Sequence, residues 1–349
     1  MYRVIDDHPL AATDIDEERA RALYRDMVRA RRFDERAIAL QRRGWMSGYP
    51  PFAGQEASQV GAAHAMAERD WLVPTYRQNA TQIARGVPMS DLFRFRRGHP
   101  EFASDHDLPT LPQTVPIASQ LPHAVGLGMA IDYRDDEGAV LCCFGDGATS
   151  EGDFHEALNF AGVFSTPTVF FCENNGWAIS LPQERQTASD SIAIKADAYG
   201  ITGTRVDGND PLAVYAVVRE ALSKAREGEP VLIESLTYRR GAHTTSDDPS
   251  RYRSEDAADL PEWRTADPLE RYETYLREEG LLDGAFVEGV EADADEELRG
   301  AVERAESGSE ARPEAVFDTV FKEVPPRLAR QRDWLLEHAR KHDSGRPDR

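Results

Sequence analysis

The stretch from Ala139 to Asn175 limits the fold of this chain more than any other. An apolar run, Ala139–Phe144, reads as a strand and ends in Gly145-Asp146-Gly147. Residues 151–164 then place Phe154, Ala157, Leu158, Ala161 and Phe164 on one helical face. A second strand, Pro167–Cys172, shows no polar alternation past Thr168, as expected of a strand covered on both faces, and runs into Asn174-Asn175. Strand, helix and strand in this order make a parallel unit, and such sheets carry their sites beyond the carboxyl ends of the strands. There the unit presents the Asp146 carboxylate and the Asn175 amide oxygen, both hard ligands suited to Mg²⁺. So few protein oxygens leave the ion short of ligands, and a diphosphate would supply them. Gly145 and Gly147 allow backbone to approach such a ligand, and the turn lies where a helix end favours phosphate.

The α/β rhythm continues in a helix over 211–226 and a strand over 231–236. Upstream, Leu23, Met27, Ala30, Ala37 and Leu40 recur at helical spacing from Glu17 to Arg43. A second helix is expected from near Gln55, a long structured loop over 98–122, and a buried helix over 124–131 with Gly126 and Gly128 permitting close packing. The expected organisation is an N-terminal acidic segment and helix over 1–44, a ligand-binding α/β domain over 45–265, and a helical extension over 266–349. That extension is expected to break at 306–313 and to end in a polar tail from Asp343.

Composition narrows the partners. With 62 acidic against 41 basic residues the formal charge is −21, which disfavours nucleic acid and anionic membrane. Only four of the basic residues are lysine (195, 224, 322 and 341), a pattern that suits a salt-loving cytoplasm or follows from a GC-rich genome. Cys142, Cys143 and Cys172 lie in apolar runs without a Cys-x-x-Cys pair, so buried reduced thiols and a cytoplasmic protein are expected.

The block GDGATSEGDFHEALNFAGVFSTPTVFFCENNGWAIS resembles the thiamin-diphosphate signature of alpha subunits of 2-oxo acid dehydrogenase first components, of the pyruvate, branched-chain and acetoin types. The resemblance takes in FAGQEASQVG, PTYRQNA, PIASQLPHAVG, VDGNDPLAVY and TYRRGAHTTSDDPSRYR, and so covers about residues 45–255. It implies a thiamin-diphosphate-binding fold, a mostly parallel sheet with helices on both faces and helical extensions at both ends. It also implies Asp146, Asn175 and the main-chain oxygen of Trp177 as Mg²⁺ ligands, with Gly145, Gly147 and Ala148 along the diphosphate. Tyr76 and Arg77 would hold the terminal phosphate, and His243 and Arg239 would stand in the loop over it as the catalytic residues, with His243 also against the cofactor. His123 and His155 flank this region, and the remaining histidines read as surface or structural.

The helix sequence HEALN lacks the second histidine of a zinc site, since position 159 is Asn. Asp153 and Glu156 read either as a proton relay between paired sites or as an ordinary acidic helix face. Thr114, Pro116, Ser119 and Gln120 align with a K⁺ site of branched-chain relatives, although Val115 departs from the polar residue expected there. Thr244-Thr245-Ser246 aligns with a regulatory phosphoserine segment, but the residue after His243 is Thr. The glutamate that thiamin chemistry requires belongs to a beta subunit in this family. The resemblance therefore implies a heterotetramer of two alpha and two beta subunits, acting on pyruvate or a branched-chain 2-oxo acid, with acetoin as the alternative, and passing the acyl group to a lipoyl-bearing acyltransferase; PFAGQEASQVG leans toward the pyruvate type. A silent scaffold of the same fold and a Mg²⁺-dependent phosphohydrolase are the alternatives from other classes.

Overall fold

The computed structural model describes residues 1–102, 107–253, 260–307, 313–318 and 321–343. The chain divides into two compact units, Met1–Glu303 and Arg304–Arg349. The first unit is built on a five-stranded parallel sheet: β1 (Trp71–Val73), β2 (Val140–Gly145), β3 (Thr168–Asn174), a two-stranded antiparallel pair outside it, β4 (Trp177–Ala178) and β5 (Leu181–Pro182), then β6 (Thr202–Asp207) and β7 (Val231–Leu236). The sheet order is β1-β2-β3-β7-β6. From β3 the chain passes one place over to the edge strand β6 and returns to fill the gap with β7.

Every residue of β3 and β7 is buried, and β2 is buried up to Gly145, which is what runs without polar alternation require. Register pairs Gly145 with Glu173 and Asn174 with Leu236, so the carboxyl ends of β2, β3 and β7 finish level.

Around the sheet lie α1 (Glu17–Arg42), α2 (Glu56–Ala65), α3 (Asn79–Ala84), α4 (Met89–Arg96), α5 (Gln120–Tyr133), α6 (Gly152–Phe164), α7 (Pro211–Arg226), α8 (Glu262–Thr265), α9 (Pro268–Glu278) and α10 (Gly284–Glu306). Helix α1 starts where Asp16 accepts the Arg19 N–H at 2.7 Å, with Glu17 and Glu18 in its first turn. Its five expected core residues are all buried, and Gly44 ends it at φ +71°. Asp210 caps α7 by accepting from Leu212 and Ala213, while its other oxygen takes the N–H groups of Val4 and Ile5. One carboxylate thus starts a helix and ties the N-terminal segment down. In the second unit, α11 (Ala315–Asp318) and α12 (Pro326–Asp343) touch each other.

Several local expectations need correction. Gly145-Asp146-Gly147 does not open directly into α6; a 3₁₀ turn, Asp146–Ser150, stands between. On α6 the residues Phe154, Ala157, Leu158 and Ala161 are buried, whereas Phe164 is exposed. Helix α5 begins earlier and ends later than expected, with one face in the open. A Cβ at Gly128 would stand 2.7 Å from Thr168 Oγ1, but at Gly126 it would meet nothing, so only Gly128 serves close packing. Residues 103–106 of the expected loop, most of the interruption at 306–313 and the tail beyond Asp343 fall outside the described residues. Among the described residues no helix is long and apolar enough to cross a membrane, and the three cysteines are free and buried.

Candidate active site

Four loops meet at the level carboxyl ends of the sheet. Tyr76 and Arg77 follow β1, Gly145–Ala148 follow β2, Asn175 and Trp177 follow β3, and Arg239 and His243 follow β7. Adjacency in the sheet therefore brings together residues up to 167 positions apart (Tyr76 to His243). Between them lies a cavity of about 570 Å³, lined by Tyr76, Arg77, Asp146, Asn175, Trp177 and His243 among others.

Asp146 is buried, and burial raises its pKa from 3.8 to about 6. Oδ2 accepts from Gln186 Nε2 at 3.3 Å, and Oδ1 is buried with no hydrogen-bond partner among the described residues. A desolvated carboxylate oxygen left bare is costly unless a cation meets it. Asn175 donates from Nδ2 to Gln55 Oε1 at 3.0 Å, which turns its Oδ1 the other way, where it also accepts the Trp177 N–H at 3.2 Å. Carboxylate oxygen, amide oxygen and the Trp177 main chain therefore gather at the ends of two adjacent strands, a donor set suited to Mg²⁺. Gly147 forms the wall beside them, and a Cβ there would stand 2.9 Å from Ala178 Cβ. The residues present fit a Mg²⁺-bound diphosphate.

Opposite the carboxylate is a basic cluster. Arg77 donates to the carbonyls of Pro51 and His243, and its Nη2 also lies 3.1 Å from His243 Nδ1. Arg239 Nη1 approaches the same Nδ1 at 3.0 Å. Two guanidinium donors converge on one ring nitrogen, so Nδ1 must accept and the ring proton sits on Nε2. Burial, then Arg77 and Arg239, depress the His243 pKa from 6.5 to about 4. The ring is a neutral donor through Nε2.

Not every expected residue stands on the cavity wall. Arg239 is almost fully buried behind His243, and its Nη2 donates to Ile179 O and Tyr252 Oη. Asp153 and Glu156 are exposed on α6 and take no part in the lining, so the helix does not turn them toward the cavity. His155 Nδ1 pairs with the Tyr199 hydroxyl, and His123 is exposed with Nδ1 against Ser119 O. In contrast Gln55, Glu151, Glu173 and Ile179 line the site and were not singled out. Glu173 carried a signal: it is a lone acid in the buried run VFFCEN. Its Oε2 accepts from Gln78 and Gln59, Oε1 has no hydrogen-bond partner among the described residues, and burial lifts its pKa to about 7.

Comparison with known proteins agrees with this geometry. The sequence model of a family described as Dehydrogenase E1 component matches residues 24–314. The 3-methyl-2-oxobutanoate dehydrogenase subunit alpha of Mycobacterium tuberculosis is 47% identical over 327 residues, covering 92% of this chain and 88% of that one. The pyruvate dehydrogenase E1 component subunit alpha of Bacillus subtilis is 37% identical over 326 residues, covering 92% and 87%. That of Staphylococcus epidermidis is 37% identical over 326 residues, covering 91% and 86%. Parallel sheet, convergent loops and near full-length similarity lead to one assignment: the chain belongs to the dehydrogenase E1 component family, as an alpha subunit of a 2-oxo acid dehydrogenase.

Proposed function

We propose that this alpha subunit holds Mg²⁺ and thiamin diphosphate for the oxidative decarboxylation of a branched-chain 2-oxo acid. The observation that carries the reading is the bare, buried Asp146 Oδ1 facing the same cavity as Asn175, with Arg77 and His243 across from it. Thiamin diphosphate, when bound, would supply a carbon nucleophile for the 2-oxo group and a sink for the electron pair left by CO₂. The chain's own residues do the rest. Asp146, Asn175 and the Trp177 carbonyl hold the metal, and Arg77 with Tyr76 fixes the far phosphate through forked donors. His243, kept neutral, offers its Nε2–H to an oxygen of the substrate or of the arriving acyl acceptor without adding charge.

The choice of substrate rests on the rim. Val115, Ile117 and Ile179 line the cavity and are 59%, 46% and 54% exposed. These aliphatic surfaces suit a branched alkyl side chain, and the higher identity is to the 3-methyl-2-oxobutanoate enzyme. Among the described residues Gln120 Oε1 is buried without a partner, while Ser119 Oγ donates to Pro116 O, so within the candidate K⁺ set Gln120 offers a buried oxygen. No residue of the described cavity is assigned the aminopyrimidine glutamate. A beta subunit would supply it and close the site in a cytoplasmic heterotetramer, which passes its acyl group to a lipoyl-bearing acyltransferase.

Calorimetric titration of thiamin diphosphate with Mg²⁺ into the chain co-expressed with its beta partner tests this reading. Binding is expected to disappear in Asp146→Ala, and turnover to favour 3-methyl-2-oxobutanoate over pyruvate. Equal binding by Asp146→Ala would remove the metal assignment. Preference for pyruvate would remove only the substrate.

A further inference from the structure

One loop ties together three parts of the site. Residues 49–55, between α1 and α2, accept the Arg77 guanidinium at Pro51 O and the Asn175 amide at Gln55 Oε1. They also exchange two hydrogen bonds with the His243 loop, Thr245 N–H to Tyr49 O at 2.8 Å and Tyr49 N–H to Thr245 Oγ1 at 3.1 Å. A further bond, Arg240 N–H to Ala53 O at 2.9 Å, pins the same strand end. The loop is pressed so closely against β7's extension that a Cβ at Gly54 would lie 2.2 Å from Tyr238 O. Phosphate arm, metal-side amide and catalytic loop thus share one frame.

That frame hangs on a carboxylate outside the cavity. Asp34, on α1 and 1% exposed, accepts the Tyr49 hydroxyl at 2.7 Å and the Phe52 N–H at 3.1 Å on Oδ1, and the Ala53 N–H at 3.2 Å on Oδ2. All three partners are donors, as a buried carboxylate requires. The neighbouring acid, Glu56, is engaged elsewhere, by Arg31 Nε at 2.6 Å and the Gly54 N–H at 2.8 Å. An amide at position 34 would turn a donor toward donors and leave part of the loop unheld.

We propose that Asp34 is a positioning residue for the reaction, which through the 49–55 loop sets where Arg77, Asn175 and His243 stand. The inference rests on the proposed cofactor site, and its effect is that of an outer support on a ligand set, where loss of a partner costs about 10- to 100-fold in affinity or activity.

The test uses the assembled alpha–beta enzyme, at a temperature where circular dichroism shows each variant folded. Asp34→Asn is expected to weaken Mg²⁺-dependent thiamin diphosphate binding by about 10-fold or more. It is also expected to speed amide hydrogen exchange at 49–55 and 243–247 while the exchange of β2 and β3 stays as in the wild type. Tyr49→Phe, which removes one of three donors, should shift both readouts in the same direction by less, and it decides the matter if Asp34→Asn does not fold. Folded variants with wild-type cofactor affinity and wild-type exchange at 243–247, even if less heat-stable, would reduce Asp34 to a loop anchor and overturn the proposal. Failure of the wild type itself to bind would strike the cofactor reading instead.

Discussion

At the scale of single residues, His243 shows how neighbours decide chemistry that a residue name leaves open. An imidazole beside two guanidinium groups in a partly dry cleft gains nothing by charging, and its pKa falls from 6.5 to about 4. The sign for stability follows. A folded pKa below the unfolded one favours the neutral ring, so the contribution is present above about 6.5 and is lost as pH falls through about 4. In ¹⁵N-histidine spectra His243, assigned by its absence in His243→Gln, is expected as an Nε2–H ring that does not charge between pH ~5 and ~8. A ring charging near 6.5 would mean that Arg77 and Arg239 do not both stand against Nδ1 in solution. The sequence alone could place His243 in the right loop but not fix its tautomer, because Arg77 lies 166 positions away and only the order of the sheet brings it close.

At the scale of elements, α5 offers a paired comparison. Gly128 faces β3, with Thr168 Oγ1 at 2.7 Å and Thr166 Cβ at 3.2 Å from where a Cβ would stand, while Gly126 faces open space. Gly128→Ala is expected to destabilise the chain by roughly 1–3 kcal/mol through overpacking. Gly126→Ala should stabilise it by roughly 0.5–1 kcal/mol, since alanine loses less freedom than glycine in a helix interior. Denaturant titration of both variants reads the difference, and equal effects would contradict this seating of α5. Both glycines look alike in the sequence, since spacing marks a helix but not which side meets a neighbour. The same limit explains what else was missed. Strand β6 is half exposed at the edge and its TGTRVD has no apolar run, and β1 has only three residues. Strands β2, β3 and β7 and helices α1 and α7 were legible because burial on both faces, or along one stripe, writes itself into the hydrophobic pattern.

At the scale of the whole molecule, the candidate site was legible as a list and illegible as an arrangement. Asp146 and Asn175 follow from strand ends, whereas Gln55, Glu173 and the loop held by Asp34 matter only through contacts across the sheet. Net charge acts at this scale too. A chain with a formal charge of −21 repels itself in the compact state, and its many carboxylates lie mostly outside the ion pairs that α1 makes with Glu297, Glu291 and Asp267. Raising KCl from about 0.05 M to about 1 M shortens the screening length from over 10 Å to roughly 3 Å, shorter than most spacings between surface charges. The same salt weakens the exposed pairs, but these contribute only ~0–1 kcal/mol each, so relief of the net repulsion should win. The thermal midpoint in KCl is therefore expected to rise and then level off once screening is complete. A midpoint that falls with salt would show that the ion pairs outweigh the excess charge. A rise in sulfate but not in chloride would point to exclusion of the salt from the surface and leave screening with no part in it.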